Sequence, residues 1–315
     1  MPEKTLLLEN RRGYYLPAGD LAELAKPFRE DPFVGACEKL NTTFRALVSI
    51  MYNCAPLSGH PGGSISSSRI VESLLYRTMD YDLKRPNALE ADIVVYAAGH
   101  KALGLYALWA LRDEVARIAA PELLPENVAE RLRLEDLLGF RRNPTQGTPL
   151  FKKFGAKPLD GHPTPATPFV KLATGASGVG VPAAFGLALG AMDAYPKDPP
   201  VVHVLEGEGG MTPGRVQEAM AAAATAGLDN IVMHVDWNQA SIDSDRVCRD
   251  GSAPGEYVQW NPVELGFLHD FNVIEVNEGF DYAQILAAQR YAIEHRNGQP
   301  TVIVYRTIKG WRYGI

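Results

Sequence analysis

Apolar positions along this chain fall into two rhythms. Short continuous runs at 93–96, 201–205, 231–235, 272–276 and 301–305 have the length and β-branched content of strands buried on both faces. Between them apolar residues recur at helical spacing. One such segment begins at Phe33 and is clearest over 40–52; others run over about 66–79, from Gly99-His100 to about Arg117, and over 178–191, 213–226 and 281–295. This alternation predicts an α/β fold, a mostly parallel five- or six-stranded sheet with helices on both faces. The unit spanning 201–235 is the best defined. Thr212 reads as its helix N-cap, Pro213 as the first helical residue and Gly227 as the stop, with a right-handed crossover. Residues 1–30, broken by Arg11-Arg12-Gly13 and Pro17-Ala18-Gly19, read as a peripheral arm, giving an arm over 1–32 and one α/β domain over 33–315. The stretch 119–170 is rich in Pro, Gly and charge and predicts a short helix among long loops.

Polar chemistry gathers where these strands end. Gly207-Glu208-Gly209 and Asp236-Trp237-Asn238 each follow an apolar run, and ligands of open α/β sheets bind at the carboxyl ends of strands. An acid beside an amide offers oxygen ligands to a hard cation such as Mg²⁺ or Ca²⁺, and the glycines let backbone N–H groups approach an anion. A metal with a diphosphate is the economical reading; a plain turn at a strand end is the bland one. Three Gly-His pairs, Gly59-His60, Gly99-His100 and Gly161-His162, sit at breaks between elements in a chain with 7 histidines. A single loop histidine is usually solvated or capping. Three in one context suit proton transfer and hydrogen bonding to diphosphate or hydroxyl groups. His203 and His234 lie inside strand patterns and read as core histidines with a satisfied hydrogen bond.

Composition narrows the function classes. The chain of 315 residues is 46% hydrophobic and 22% charged, which suits a globular protein. A net charge of −6 without a long basic run argues against nucleic acid as a partner, and no uncharged apolar stretch reaches transmembrane length. Met1-Pro2-Glu3-Lys4 lacks the order of a secretory signal, and Cys37, Cys54 and Cys248 show no metal or redox spacing. Both suit a reducing cytoplasm, with the cysteines as small apolar fillers.

The motifs together resemble those of the transketolase family. Gly207-Glu208-Gly209 and Asn238 resemble its thiamine diphosphate motif, with Glu208 where the family has Asp and Gly210 in place of a common acidic residue. Gly59-His60-Pro61-Gly62-Gly63-Ser64 resembles the Gly-His-Pro-Gly segment. Gly99-His100-Lys101-Ala102 resembles the Lys-Gly-His motif, with Ala98 at the basic position. Gly161-His162-Pro163 followed by the glycines of 174–180 resembles the next, with Ser177 for a bulkier Leu. The resemblance runs from about Leu40 to Gly310 and implies roles. Glu208 and Asn238 would bind Mg²⁺ or Ca²⁺ by side chain and Ala240 by its carbonyl. Gly207, Gly209, Gly175, Ser177 and Asn238 would line thiamine diphosphate. His100 would contact its diphosphate, while His60 and His162 would face the hydroxyls of a sugar phosphate as catalytic groups. It covers the diphosphate half of the family and not the aminopyrimidine half. The activating glutamate would therefore come from a second domain or subunit, in a homo- or hetero-oligomer, and a further family histidine would fall beyond Ile315. The small residues of 178–191 suit either such an interface or internal packing. The implied activity is transfer of a two-carbon ketol unit. The alternatives are a 2-oxo acid dehydrogenase E1 component, a deoxyxylulose-phosphate-synthase-like activity and a cofactor-free scaffold subunit.

Overall fold

A computed structural model describes residues 10–54, 58–141 and 148–313. The first four residues, read above for a targeting signal, lie outside it. The strands are β1 (Tyr15–Leu16), β2 (Ile93–Tyr96), β3 (Val202–Gly207), β4 (Ile231–Trp237), β5 (Asn272–Val276) and β6 (Thr301–Arg306). They form one sheet in the order β1-β5-β6-β4-β3-β2, and every pairing is parallel. Alternate strand residues feed two cores, as the period of two requires. Val94, Tyr96, Leu205, Val232, Ile303 and Tyr305 face one side, and Val95, Val204, Met233, Val235, Val302 and Val304 the other.

Helices cover both sides. The ranges in chain order are α1 (Ala18–Leu24), α2 (Pro32–Asn53), α3 (Pro61–Ser66), α4 (Ser68–Ser73), α5 (Ala102–Ala119), α6 (Pro149–Phe154), α7 (Gly180–Ala194), α8 (Gly214–Ala226), α9 (Pro262–Leu268) and α10 (Tyr282–Glu294). Helices α2 to α5 and α10 pack into the first core; α7, α8 and α9 pack into the second. No helix among the described residues is long and apolar enough to cross a membrane.

Several details differ from the sequence reading. Within the stretch read as an arm, Tyr15 and Leu16 pair with Val273 and Ile274 as the sheet's edge strand, and Leu21 and Ala25 of the following segment are fully buried. Two residues are too few to show a period, so the strand is invisible until its neighbour exists. Helix α8 begins one residue later than expected: Pro213, not Thr212, holds the extended N-cap position, and the Thr212 hydroxyl instead donates to the Gly209 carbonyl at 2.9 Å. Its end is as expected, with Gly227 left-handed at φ 66°. The helix expected over about 66–79 is α4 at Ser68–Ser73, continued by a wider turn over Leu74–Thr78, and a separate short helix, α3, precedes it from Pro61, which suits a first helical turn because its missing N–H would be unpaired there. Small residues of α7 are used internally: Gly180, Ala184, Ala188 and Ala191 are buried against the sheet, while Gly186, Leu189 and Gly190 remain exposed. His203 and His234 sit fully buried in β3 and β4, 3.1 Å apart, with His234 a further 3.0 Å from the Tyr305 hydroxyl.

Candidate functional site

Parallel strands point all their carboxyl ends to one edge, and there the turns after β2, β3, β4 and β6 surround a cleft of about 610 Å³. Its walls include His60, His100, Gly175, Ser177, Gly207, Glu208, Gly209, Asn238 and Ala240. These segments are far apart in sequence; the sheet order gathers the turns after β2, β3, β4 and β6, and the turns before α3 and α7 add His60, Gly175 and Ser177. His162 stands one layer behind the wall. A Cβ at Gly99 would lie 2.9 Å from its Cδ2 and one at Gly175 3.6 Å from its Cγ, so it supports both glycine turns from the rear. That contact explains Gly99: any side chain would drive the His100 turn off His162 and off Gly175, whose Cα is 3.1 Å away.

The histidines are held neutral. His60 and His100 meet edge to face with ring centroids 5.7 Å apart. Surrounding protein, with the Lys101 ammonium next in importance, pushes His100 down to about 3. His60 is lowered by burial and then by Arg141 and Lys309, and His162 by burial and then by Arg141. Each therefore offers one N–H donor and one lone pair at neutral pH, a set suited to hydrogen bonding and proton transfer.

The metal-type donors are in contact with one another. Glu208, 2% exposed, accepts the backbone N–H of Asn238 at 3.3 Å. The Asn238 side-chain oxygen accepts the Ala240 N–H at 3.0 Å. The Ala240 and Ser241 carbonyls face the Lys309 ammonium at 3.5 and 3.1 Å. A carboxylate, an amide oxygen and a main-chain carbonyl form an all-oxygen set that fits Mg²⁺ or Ca²⁺ and not a soft metal. Burial, and then the Asp236 carboxylate, raise Glu208 to about 7. A bound cation would reverse that shift by favouring the charged form.

Beneath this set lies a polar network that the sequence reading missed. Asp236 is fully buried. Its Oδ2 accepts from Lys101 Nζ at 2.7 Å, Ser66 Oγ at 2.6 Å and Asn238 Nδ2 at 3.1 Å, and its Oδ1 accepts from the Thr307 hydroxyl. The network fixes the Asn238 amide with its nitrogen inward, a second layer of the kind that orients metal ligands. Glu206, 1% exposed, is the other unforeseen member. Its Oε1 accepts the Gly207 N–H at 2.9 Å, while its Oε2 has no partner among the described residues, and burial raises it to about 7. It also accounts for Gly210: a Cβ there would sit 2.2 Å from Glu206 Oε1. An acid buried from position 206 thus fills the space that a side chain at 210 would enter. Glu206 was visible as a charged residue directly after an apolar strand. Lys101 had no such signal, because its partner lies 135 residues away.

Known proteins resemble this chain over most of its length. Residues 132–314 match the family model described as "Transketolase, thiamine diphosphate binding domain". The mouse transketolase-like protein 2 is 32% identical over 83% of the chain, which covers 36% of that protein. One subunit of an apulose-4-phosphate transketolase from Actinobacillus succinogenes is 27% identical over 87% of the chain and 84% of its own length. The crystal structure of transketolase from Campylobacter jejuni superposes with a TM-score of 0.66 at 28% identity, over 85% of this chain and 37% of the other. The chain thus spans about a third of the length of the mouse protein and of the C. jejuni transketolase.

Proposed function

Because the chain belongs to the transketolase family through its thiamine diphosphate binding domain, we propose that it supplies the diphosphate and metal half of a site for ketol transfer between sugar phosphates. The observation that carries this reading is the convergence of His60, His100, Glu208, Asn238 and Ala240 with glycine turns in one cleft at the carboxyl edge of the sheet. When bound, thiamine diphosphate supplies a nucleophilic carbon and an electron sink for the two-carbon unit. Glu208 and Asn238 would hold the cation by side chain and Ala240 by its carbonyl. The backbone N–H of Gly209 and the neutral His100 would donate to the diphosphate, with Gly207, whose own N–H is held by Glu206, lining the cofactor beside them. Gly175 and Ser177 bound the cofactor on the opposite wall. His60 serves proton transfer at the sugar hydroxyls, and His162 positions the turns that carry His100 and Gly175.

One diphosphate-binding domain then occupies 33–315, and Tyr15 and Leu16 of the preceding segment pair with its β5 edge. The missing aminopyrimidine half falls to a second domain or subunit in a homo- or hetero-oligomer, working in the cytoplasm. The A. succinogenes relative of similar extent is itself called a subunit, which supports that division. The exposed Gly186, Leu189 and Gly190 face of α7 leaves room for a partner. A cofactor-free scaffold would have no need of the oxygen set that Glu208, Asn238 and Ala240 retain. The test is ketol transfer, with thiamine diphosphate and Mg²⁺, by the purified chain alone and mixed with the polypeptide encoded beside it. Activity only in the mixture is expected; full activity from the chain alone refutes the assignment of halves.

A further inference from the structure

Among the cleft groups that the proposed metal and diphosphate contacts leave unused, Lys101 is a buried cation. Lys101 lines the cleft floor at 2% exposure, and an ammonium carries three N–H donors. One bonds Asp236 at 2.7 Å. The other two have no hydrogen-bond partner among the described residues. Two glycines make this placement possible. A Cβ at Gly63 would press on the Lys101 stem, 3.2 Å from Cγ and 3.3 Å from Cε. A Cβ at Gly207 would stand 3.5 Å from Nζ, so the bare Gly207 leaves the ammonium uncovered toward the cleft. Asp236 is not part of the cleft wall. The buried ion pair therefore presents its positive end to the cavity and its negative end to the protein.

We propose that Lys101 is a built-in cation for the diphosphate, donating its two free N–H groups to the anion and taking over part of the charge a divalent metal supplies. This rests on the diphosphate reading above. The reason is chemical. Charge-assisted N–H···O bonds to phosphate are among the strong ones, and a desolvated ammonium whose own counterion lies behind it loses little hydration when an anion arrives. A purely structural lysine, present only to neutralise Asp236, would have no reason to be bared by Gly207.

Calorimetric titration of the full chain with inorganic pyrophosphate, in Mg²⁺ and in EDTA, tests this. The wild-type chain is expected to keep measurable pyrophosphate affinity in EDTA. The double variant Lys101→Met/Asp236→Asn removes both charges at unchanged net charge and is expected to bind about ten- to a hundredfold more weakly in EDTA, with a smaller loss in Mg²⁺. Gly207→Ala is the second variant, because it leaves the ion pair in place. Its backbone, at φ −114°, accepts any residue and the added methyl meets nothing closer than 3.5 Å, so it should fold. Covering the ammonium, it should show the same EDTA-selective loss, while Lys101→Arg should retain metal-free binding. Equal affinity of wild type and both variants in EDTA overturns the proposal and leaves Lys101 as a counterion of Asp236. Wild-type binding that vanishes with the metal overturns it as well. Wild-type binding in neither condition removes the diphosphate reading itself, and the proposal with it.

Discussion

Replacing Glu72 with glutamine should make this protein less sensitive to alkaline pH. Glu72 lies in α4, the helix that follows α3 and its Ser66, and is fully buried. Its Oε2 accepts from the Tyr282 hydroxyl at 2.6 Å and from Asn41 at 3.1 Å, while its Oε1 has no partner among the described residues. The nearby Arg69 is committed to Glu38 and to the Phe280 carbonyl, all at 2.6 Å, and offsets burial only in part. Burial therefore raises the carboxyl from 4.5 to about 7. Such a displacement makes ionisation roughly 3 kcal/mol harder in the fold than in the unfolded chain. Between those two values the folded protein keeps a proton that the unfolded chain releases, so stability falls as pH rises. The stabilisation is fully present below about 4.5 and gone once pH passes about 7. The amide oxygen that Glu72→Gln introduces can accept both existing bonds, and any cost of its unpaired NH₂ does not vary with pH. Urea unfolding of both proteins at pH 5, 6, 7 and 8 isolates the effect, because the other titrating groups cancel in the difference. Wild-type stability relative to the variant should drop by roughly 2–3 kcal/mol from pH 5 to pH 8. A difference that stays flat across that range would refute the assignment of a buried, protonated Glu72.

Gly210→Ala should lower stability by about 1–3 kcal/mol through collision with the buried Glu206 carboxyl, and Glu206→Ala in the same chain should recover most of it; a single variant that melts like wild type rules the clash out. His100→Ala should weaken thiamine diphosphate binding measured by calorimetry. In the mixture with the partner polypeptide, His60→Ala should slow turnover by about a hundred- to ten-thousandfold with cofactor affinity retained, and a loss confined to affinity contradicts its role; His162→Ala, which frees the Gly99 and Gly175 turns, should lower cofactor affinity as well, and unchanged affinity contradicts that support. Glu208→Gln removes the sole carboxylate of the proposed metal set and should weaken Mn²⁺ binding, followed by paramagnetic resonance, by about ten- to a hundredfold; unchanged Mn²⁺ affinity places the cation elsewhere.

The strands of this protein and most of its cleft residues were legible in the chain because their signals are local. Continuous β-branched runs at 93–96, 272–276 and 301–305 bury both faces of a parallel sheet in any arrangement, and Gly-His or Gly-acid-Gly breaks mark strand ends wherever the strands lie. The alternation of strand and helix likewise carried the fold class. Neighbour relations were not legible. Which strands lie side by side is settled by packing two whole cores, and that order brings Lys101, after β2, against Asp236 in β4, with Ser66 from α3 and Thr307 beyond β6 completing the network. The same limit hid β1, whose two residues are ordered only by Val273 and Ile274 beside them, and it left Gly210 as an unexplained departure until Glu206 was seen filling its space. A sequence reports what each segment can bury, while the site's electrostatics depend on which buried charges meet, and only the tertiary structure decides that.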